Sequence, residues 1–192
     1  MTPSDVVDQL NVSAPAAAQR LARWAQHGWV RRVRRGLYIG VPVDAANPDA
    51  WSDDALVIGS RVWDPCYYTG WTAARHWALS EQVFRTTVLK TSARVREKTA
   101  RLLDHDYIVV HTDDEALAWG LVTVWNDGER LLFADAARTI VDILDSPTLG
   151  AGIRNASDIL ANYLDEHDAA DLLAAAHRLN NGAVFKRLGY LI

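Results

Sequence analysis

The apolar positions of the first thirty residues recur at three- and four-residue steps, which is the spacing of a helix that buries one face. This spacing predicts two short helices, over residues 2–10 and 13–27, joined by a tight turn. Thr2 or Ser4 is expected to cap the first helix and Ser13 the second, because their side-chain oxygens can accept hydrogen bonds from free N–H groups of the first turn.

The second helix has two faces of different character. Its apolar face is expected to be buried and comprises Ala14, Ala17, Leu21, Trp24 and Ala25. The opposite face is small near its N-terminus and then carries an amide and two guanidiniums: Ser13, Ala16, Gln19, Arg20 and Arg23. This pattern is typical of a helix-turn-helix, in which the second helix enters the DNA major groove. A plain helical hairpin is the alternative.

The ten residues that follow, RRVRRGLYIG, predict a β-hairpin rich in arginine. Residues 29–33 and 37–39 favour strands, and Arg34-Arg35-Gly36 between them forms a short turn in which glycine supplies a positive φ. A hairpin directly after a recognition helix is the wing of a winged helix. We expect Val33, Leu37 and Ile39 to hold the wing against the helices.

The charge of the chain is unevenly distributed. Residues 1–40 contain six arginines and two aspartates, which gives +4, whereas the net charge of the whole chain is −4 and the remainder therefore carries −8. This asymmetry indicates a basic module for a polyanion, joined to an acidic module with another task. Ser13, Gln19 and Arg20 would then lie nearest the DNA bases. The phosphate contacts would come from Arg23, Arg31, Arg32, Arg34 and Arg35.

The pattern predicts three parts: a winged-helix domain over 1–41, a linker over 42–51 and a second domain over 52–192. The linker is rich in Pro, Ala and Asp and has no sustained period. The second domain reads as mixed α/β followed by a helical tail, so the fold class is α+β. Its predicted order is helix 53–61, loop 63–70, helix 71–77, strands 86–90 and 107–111, a hairpin about 126–128 and helices from 135 onwards.

Four blocks of the chain together resemble the AbiEi family, the antitoxins of type IV toxin–antitoxin and abortive-infection operons. In chain order they are RRGLYIG, YYTGWTAARHWALSEQVFRTTVLKTSARVR, WGLVTVWNDGERLLFADAARTIVDILDSPTLGAG and FKRLGYLI. The resemblance implies a winged helix that binds inverted repeats in double-stranded operator DNA and represses the operon. It also implies a C-terminal domain that counters a nucleotidyltransferase-like toxin.

The chain departs from this family at its start. A winged helix normally has a further helix before the two described, and Met1 lies too close to the first of them to provide it. Either the domain is minimal or the natural start lies upstream. The alternative function is a transcriptional regulator whose second domain senses a ligand or mediates assembly, without a toxin partner.

Nothing in the sequence favours an enzyme, a cofactor or a metal centre. No Gly-x-Ser-x-Gly, Walker or dinucleotide motif occurs, and the histidines at 27, 76, 105, 111, 167 and 177 are scattered. A nuclease is disfavoured because Val88 stands two positions before Lys90, where a metal-binding carboxylate would be expected. No catalytic residue is therefore assigned.

A second basic patch lies between two predicted strands and comprises Arg94, Arg96, Lys98 and Arg101. It is expected either to extend the DNA footprint, to contact the toxin or its target, or to be a solvated face.

Three further features are interpreted structurally. Arg138 and Asp142 are four residues apart on one helix face, so an ordinary surface ion pair is favoured over a role in function. Tyr67, Tyr68, Trp71 and Trp77 are expected in the core. The single cysteine, Cys66, is interpreted as a buried thiol.

The chain also lacks the marks of a membrane or secreted protein. No window approaches the length of apolar sequence that a bilayer-spanning helix needs, and the first ten residues lack the basic and then apolar layout of a signal peptide. We therefore expect a cytoplasmic protein.

Overall fold

A computed structural model describes residues 1–45, 47, 53–126 and 128–192 and shows an α+β protein. The chain forms two compact units. The first comprises residues 1–58 with 101–105, and the second comprises 59–100 with 106–192. Half of the predicted linker, residues 46 and 48–51, lies outside the described residues, and 42–45 and 47 form no helix or strand. The predicted domain boundaries stay a prediction.

The first unit begins with two helices joined by a three-residue turn, as the apolar spacing predicted. Helix α1 spans Pro3–Leu10 and α2 spans Ala14–Gln26. The Thr2 side chain caps α1 in a capping box with Asp5, and Ser13 caps α2 through the backbone N–H of Ala16. Each cap satisfies backbone donors of the first turn, so both helices begin where the sequence predicts.

The two helices share a small apolar core. Val6, Ala17 and Leu21 are buried together, with half-buried apolar residues around them. On the apolar face of α2 the prediction is confirmed for Ala17 and Leu21, whereas Ala14 is exposed. Ala14 is the first residue of the helix. The packed part of that face begins one turn later, so Ala14 remains exposed.

A two-stranded antiparallel sheet follows, with β1 over Val30–Arg34 and β2 over Leu37–Gly40. Gly36 has φ +78°, as the turn prediction required. The strand residue that packs on the helices is Tyr38. Val33, Leu37 and Ile39 are all buried, and the prediction that they hold the hairpin against the helices stays a prediction. Alternation along β2 places Leu37 and Ile39 on the face opposite Tyr38.

The main sheet is built from six strands: β3 Cys66–Tyr68, β4 Thr86–Thr91, β5 Thr99–Leu102, β6 His105–His111, β7 Leu121–Asn126 and β8 Glu129–Ala134. Their order across the sheet is β5-β6-β4-β3-β8-β7. The pairs β3–β8 and β4–β6 are parallel, and β3–β4 and β7–β8 are antiparallel.

Helix α5, which spans Ala136–Asp145, is the centre of the helical layer of the second unit. Seven of its ten residues, from Arg138 to Leu144, are buried. Apolar side chains of the neighbouring helices pack around it. The helices are α3 Ala55–Val62, α4 Gly70–His76, α5 Ala136–Asp145, α6 Ile153–Glu166, α7 Ala169–Leu179 and α8 Gly182–Leu191. The helical C-terminal region is confirmed.

Two strands were not predicted. The segment 63–70, predicted as a loop, contains β3, and β5 includes Arg101 of the second basic patch. All three residues of β3 are buried, so its sequence shows no alternation of polar and apolar positions from which a strand could be read. The predicted core aromatics are confirmed for Tyr67, Tyr68 and Trp71, and Trp77 is half-buried.

Cys66 is buried in β3, as expected. Desolvation, together with the nearby charge of Asp64, raises the pKa of its thiol to about 12. A neutral, enclosed thiol of this kind behaves as a small apolar side chain rather than a nucleophile.

Gly70 should be intolerant of any side chain. Its φ is +58°, and a Cβ there would lie 2.5 Å from the backbone oxygen of Leu149. We expect Gly70→Ala to lower the free energy of unfolding by about 1–3 kcal/mol, measured by urea denaturation. Gly189→Ala is the control, since Gly189 lies in α8 and an added Cβ meets nothing within 4 Å. It should be neutral or stabilise by up to about 1 kcal/mol. Equal losses in both variants would contradict this steric explanation.

Candidate functional site

The exposed face of α2 carries the residues that the sequence assigned to DNA. Ser13, Gln19, Arg20 and Arg23 are exposed, and Ala16 is half-buried. The Ser13 hydroxyl accepts the N–H of Ala16 as the helix cap, so it has a structural role as well. Arg20 and Arg23 have no ion-pair partner among the residues that the structure describes. Their charges therefore face solvent.

The hairpin adds a second group of basic side chains in the same compact unit. Arg32, Arg34 and Arg35 are exposed, whereas Arg31 is half-buried. Pairing shifts by one residue between Arg32 and Arg34, so Val33 is the extra residue of a β-bulge. The Nε of Arg32 donates to the backbone oxygen of Arg34 at 3.4 Å. The tip of the hairpin thus carries Arg34 and Arg35, whose guanidinium groups form no ion pair with any described residue.

The second basic patch is exposed at all four positions, Arg94, Arg96, Lys98 and Arg101. The first three belong to the second unit and Arg101 to the first. The prediction that the patch takes part in binding stays a prediction.

The second unit contains a polar network that the sequence reasoning undervalued. Asp142 has no exposed surface and accepts four side-chain hydrogen bonds. Oδ1 accepts from Nζ of Lys90 at 2.9 Å and from Nε of Arg138 at 3.1 Å. Oδ2 accepts from the hydroxyls of Tyr67 at 3.1 Å and Thr69 at 2.8 Å. The network therefore joins α5 to β3, to the residue that follows β3, and to β4.

Arg138 is equally enclosed, with 1% of its surface exposed. Its Nη2 donates to the Tyr67 hydroxyl at 3.0 Å, and the ring of Trp119 lies 3.6 Å from its Cζ. Burial, followed by the charge of Asp142, raises the pKa of the Tyr67 hydroxyl far above its ordinary value. Tyr67 is therefore a neutral hydroxyl that both donates and accepts within the network.

The Arg138–Asp142 ion pair was predicted, but its surface position was wrong. An exposed pair on a helix contributes a few tenths of a kcal/mol, whereas a buried charge that loses its partner costs several. The available signal was the sequence AARTIVDILD, in which apolar residues surround both charges on every side of the helix. A helix that is apolar all round is buried, so its charged residues must be buried with it.

Lys90 was also missed, because it was considered only as the end of a possible nuclease motif. It is 6% exposed and lies at the fifth position of β4, which is buried from Thr87 onwards.

Within the described ranges, no three His, Cys, Asp or Glu side chains are arranged to hold a metal ion. No described helix has the length and apolar composition to cross a bilayer.

Comparison with known proteins adds no assignment to either group of residues: no family model matches the chain, and the search of curated proteins returns no match.

Asp142→Asn should destabilise the protein strongly. The substitution keeps the shape of the side chain but removes the only carboxylate that pairs with Lys90 and Arg138 within the described chain. We expect a loss of about 3–5 kcal/mol in the free energy of unfolding, measured by urea denaturation.

The matched control is Glu129→Gln, which removes the carboxylate of the exposed pair with Arg61. Both partners of that pair are 39% exposed, so the expected loss is at most about 1 kcal/mol. A similar small loss in Asp142→Asn would show that water still reaches the network.

Proposed function

We propose that residues 1–40 bind double-stranded DNA as a winged helix and that the chain is an AbiEi-like antitoxin that represses its own operon. One observation carries the DNA-binding part. Exposed arginines on α2 and at the hairpin tip occur in one compact unit, and Arg20, Arg23, Arg34 and Arg35 have no carboxylate partner among the described residues. Unpaired guanidiniums are the groups that neutralise phosphates.

The proposed mechanism divides the contacts between two elements. Gln19 and Arg20 of α2 read base edges in the major groove, and Arg23 contacts the backbone. Arg32, Arg34 and Arg35 of the hairpin bind phosphates without regard to sequence. The net charge of −4 does not oppose this, because residues 1–40 carry +4 and the charge of −8 lies in the rest of the chain. Charge pairing between protein and phosphates acts over about 10 Å at ordinary salt.

The antitoxin part of the proposal rests on the four sequence blocks that resemble the AbiEi family. A nucleotidyltransferase-like toxin would be the functional partner, and the protein would act without a cofactor or catalysis of its own. Such a repressor works on the operon that encodes it and therefore in the cytoplasm.

A transcriptional regulator without a toxin partner is the alternative, and the second unit would then sense a ligand or mediate assembly. Protection of growth against the toxin encoded beside the gene favours the antitoxin. DNA affinity that changes with a small effector favours the regulator.

The first test is a salt titration of DNA affinity. The labelled duplex comes from just upstream of the gene, and a scrambled duplex of equal length serves as the reference. We expect Arg34→Ala combined with Arg35→Ala to weaken binding to both duplexes. It should also flatten the slope of log K against log salt by about 2, since each lost phosphate contact contributes about 0.9.

The control for this double variant is Arg75→Ala combined with Arg154→Ala. Both arginines are exposed on helices of the second unit, so the net charge changes equally. If the control flattens the slope as much as the hairpin variant, the effect belongs to net charge and the hairpin is only a solvated loop. Absence of binding to either duplex by the unaltered protein would refute DNA binding.

Gln19→Ala should act on specificity instead. An amide that reads a base edge contributes about 1–3 kcal/mol of discrimination but neutralises no phosphate. We expect the ratio of affinities for the upstream and scrambled duplexes to fall while the salt slope stays unchanged. The measurement is the same titration on both duplexes. A parallel loss on both would place Gln19 outside the base contacts.

A further inference from the structure

Among the described residues, the second unit contains one buried side-chain nitrogen without a hydrogen-bond partner. It is Nη1 of Arg138, whose side chain is 1% exposed. The edge of the guanidinium formed by Nε and Nη2 is occupied, because Nε donates to Asp142 and Nη2 to Tyr67. A charged donor that is left without a partner at this depth destabilises the protein, because it has lost its hydrogen bonds to water. A hydrogen-bond acceptor that does not belong to the chain would satisfy this donor.

A cavity of about 270 Å³ lies beside this group. Arg138 and Lys90 both belong to its wall, together with Trp119 and Arg178. The ring of Trp119 covers one face of the guanidinium, so an acceptor must approach in the guanidinium plane, where the N–H bonds of Nη1 point. Arg138 is thus a buried cation in the wall of a cavity that is large enough for more than a water molecule.

The buried charges beside this cavity do not cancel. Lys90 and Arg138 are both buried cations, and they share the single carboxylate of Asp142. One positive charge is left over in a region with little water, where it has a high electrostatic cost. A water molecule supplies an acceptor for Nη1 but no charge, whereas an anion supplies both.

The other carboxylates of the cavity wall lie nearer to water than this buried group, since Asp113 is exposed and Asp145 is half-buried. The side chain of Asp113 accepts the backbone N–H of Ala116, and that of Asp145 accepts from Asn181. Glu115 is exposed. Within the described residues, none of the three forms an ion pair with Lys90 or Arg138. Arg178, which is exposed and 5.2 Å from the Trp119 ring, adds a further positive charge at the rim.

We propose that this cavity binds the oxyanion group of a small molecule, a phosphate or a carboxylate, with Arg138 and Lys90 as the buried cations and Arg178 at the rim. The site goes beyond the DNA contacts of residues 1–40. It would give the second unit a ligand. The anion site is tested independently of DNA binding, because it involves different residues and a different measurement.

The test follows the indole signals of the full-length protein by ¹H–¹⁵N NMR during titration with inorganic phosphate and, separately, with acetate. Ionic strength is held constant with chloride, and Trp119→Phe identifies the Trp119 signal. We expect a saturable shift of that signal. A shift with phosphate alone assigns the site to phosphate groups, and a shift with both anions extends it to carboxylates. The Arg34→Ala, Arg35→Ala background removes anion binding at the hairpin tip.

Two variants test the residues. Arg178→Ala should weaken binding about two- to fivefold, as expected for one solvent-screened charge, and Arg154→Ala, an exposed arginine of α6, is the matched control. Arg138→Lys keeps the charge but lacks the planar donor fork, and should weaken binding about tenfold. Where Arg138→Lys does not fold, the comparison of Arg178→Ala with Arg154→Ala decides the question alone.

The proposal is overturned by either of two results. One is a Trp119 signal that does not move with phosphate or acetate. The other is an affinity that Arg178→Ala and Arg154→Ala lower equally, because the anion would then respond to net charge and not to the cavity. Neither result bears on DNA affinity, so failure of this site leaves the proposed function of residues 1–40 in place.

Discussion

Asp142 has no contact with solvent, and its carboxylate must therefore find all its hydrogen bonds inside the protein. It does so through Lys90, Arg138, Tyr67 and Thr69, which lie on or next to three different elements. Because an ion pair in a dry interior loses several kcal/mol when one partner moves away, α5 cannot slide along the sheet without breaking the network. The position of α5 in turn fixes the helices α4, α6, α7 and α8 that pack around it. The arrangement of the whole second unit thus depends on one carboxylate.

Arginine has two opposite roles in this protein, and burial separates them. The arginines of α2 and the hairpin tip face water, so their charges are available to phosphates. Arg138 is enclosed and pairs with Asp142, while its Nη1 has no partner among the described residues. Under the two proposals, the exposed charges of the first unit would contact the phosphates of DNA, and the cavity of the second unit would take a small anion. A regulator with both properties would pair a contact surface for DNA with a separate place for a ligand.

Local sequence signals predicted most of the elements. The caps of α1 and α2, the arginine hairpin with Gly36, the β7–β8 hairpin and the four C-terminal helices all follow from periodicity, capping residues and turn residues. Strands β3 and β5 were not predicted, because a three-residue strand buried in a sheet has no alternation and a short half-exposed strand has little apolar content. The contacts of the β1–β2 sheet are also not predictable from local signals. Which face of a strand meets a helix depends on the register and the bulge, and the sequence alone does not reveal them.

The sequence by itself determined the helix boundaries, the uneven distribution of charge and the exposed basic face of α2, since these depend on neighbours within a few residues. Only the tertiary structure decided which charges are buried. Lys90 and Asp142 are 52 positions apart, and Tyr67 and Arg138 are 71 apart. The energy of such contacts comes from removing water around groups that meet only when the chain folds. The spacing of Arg138 and Asp142 predicted that they would pair, but the depth at which they pair follows from the packing of distant segments.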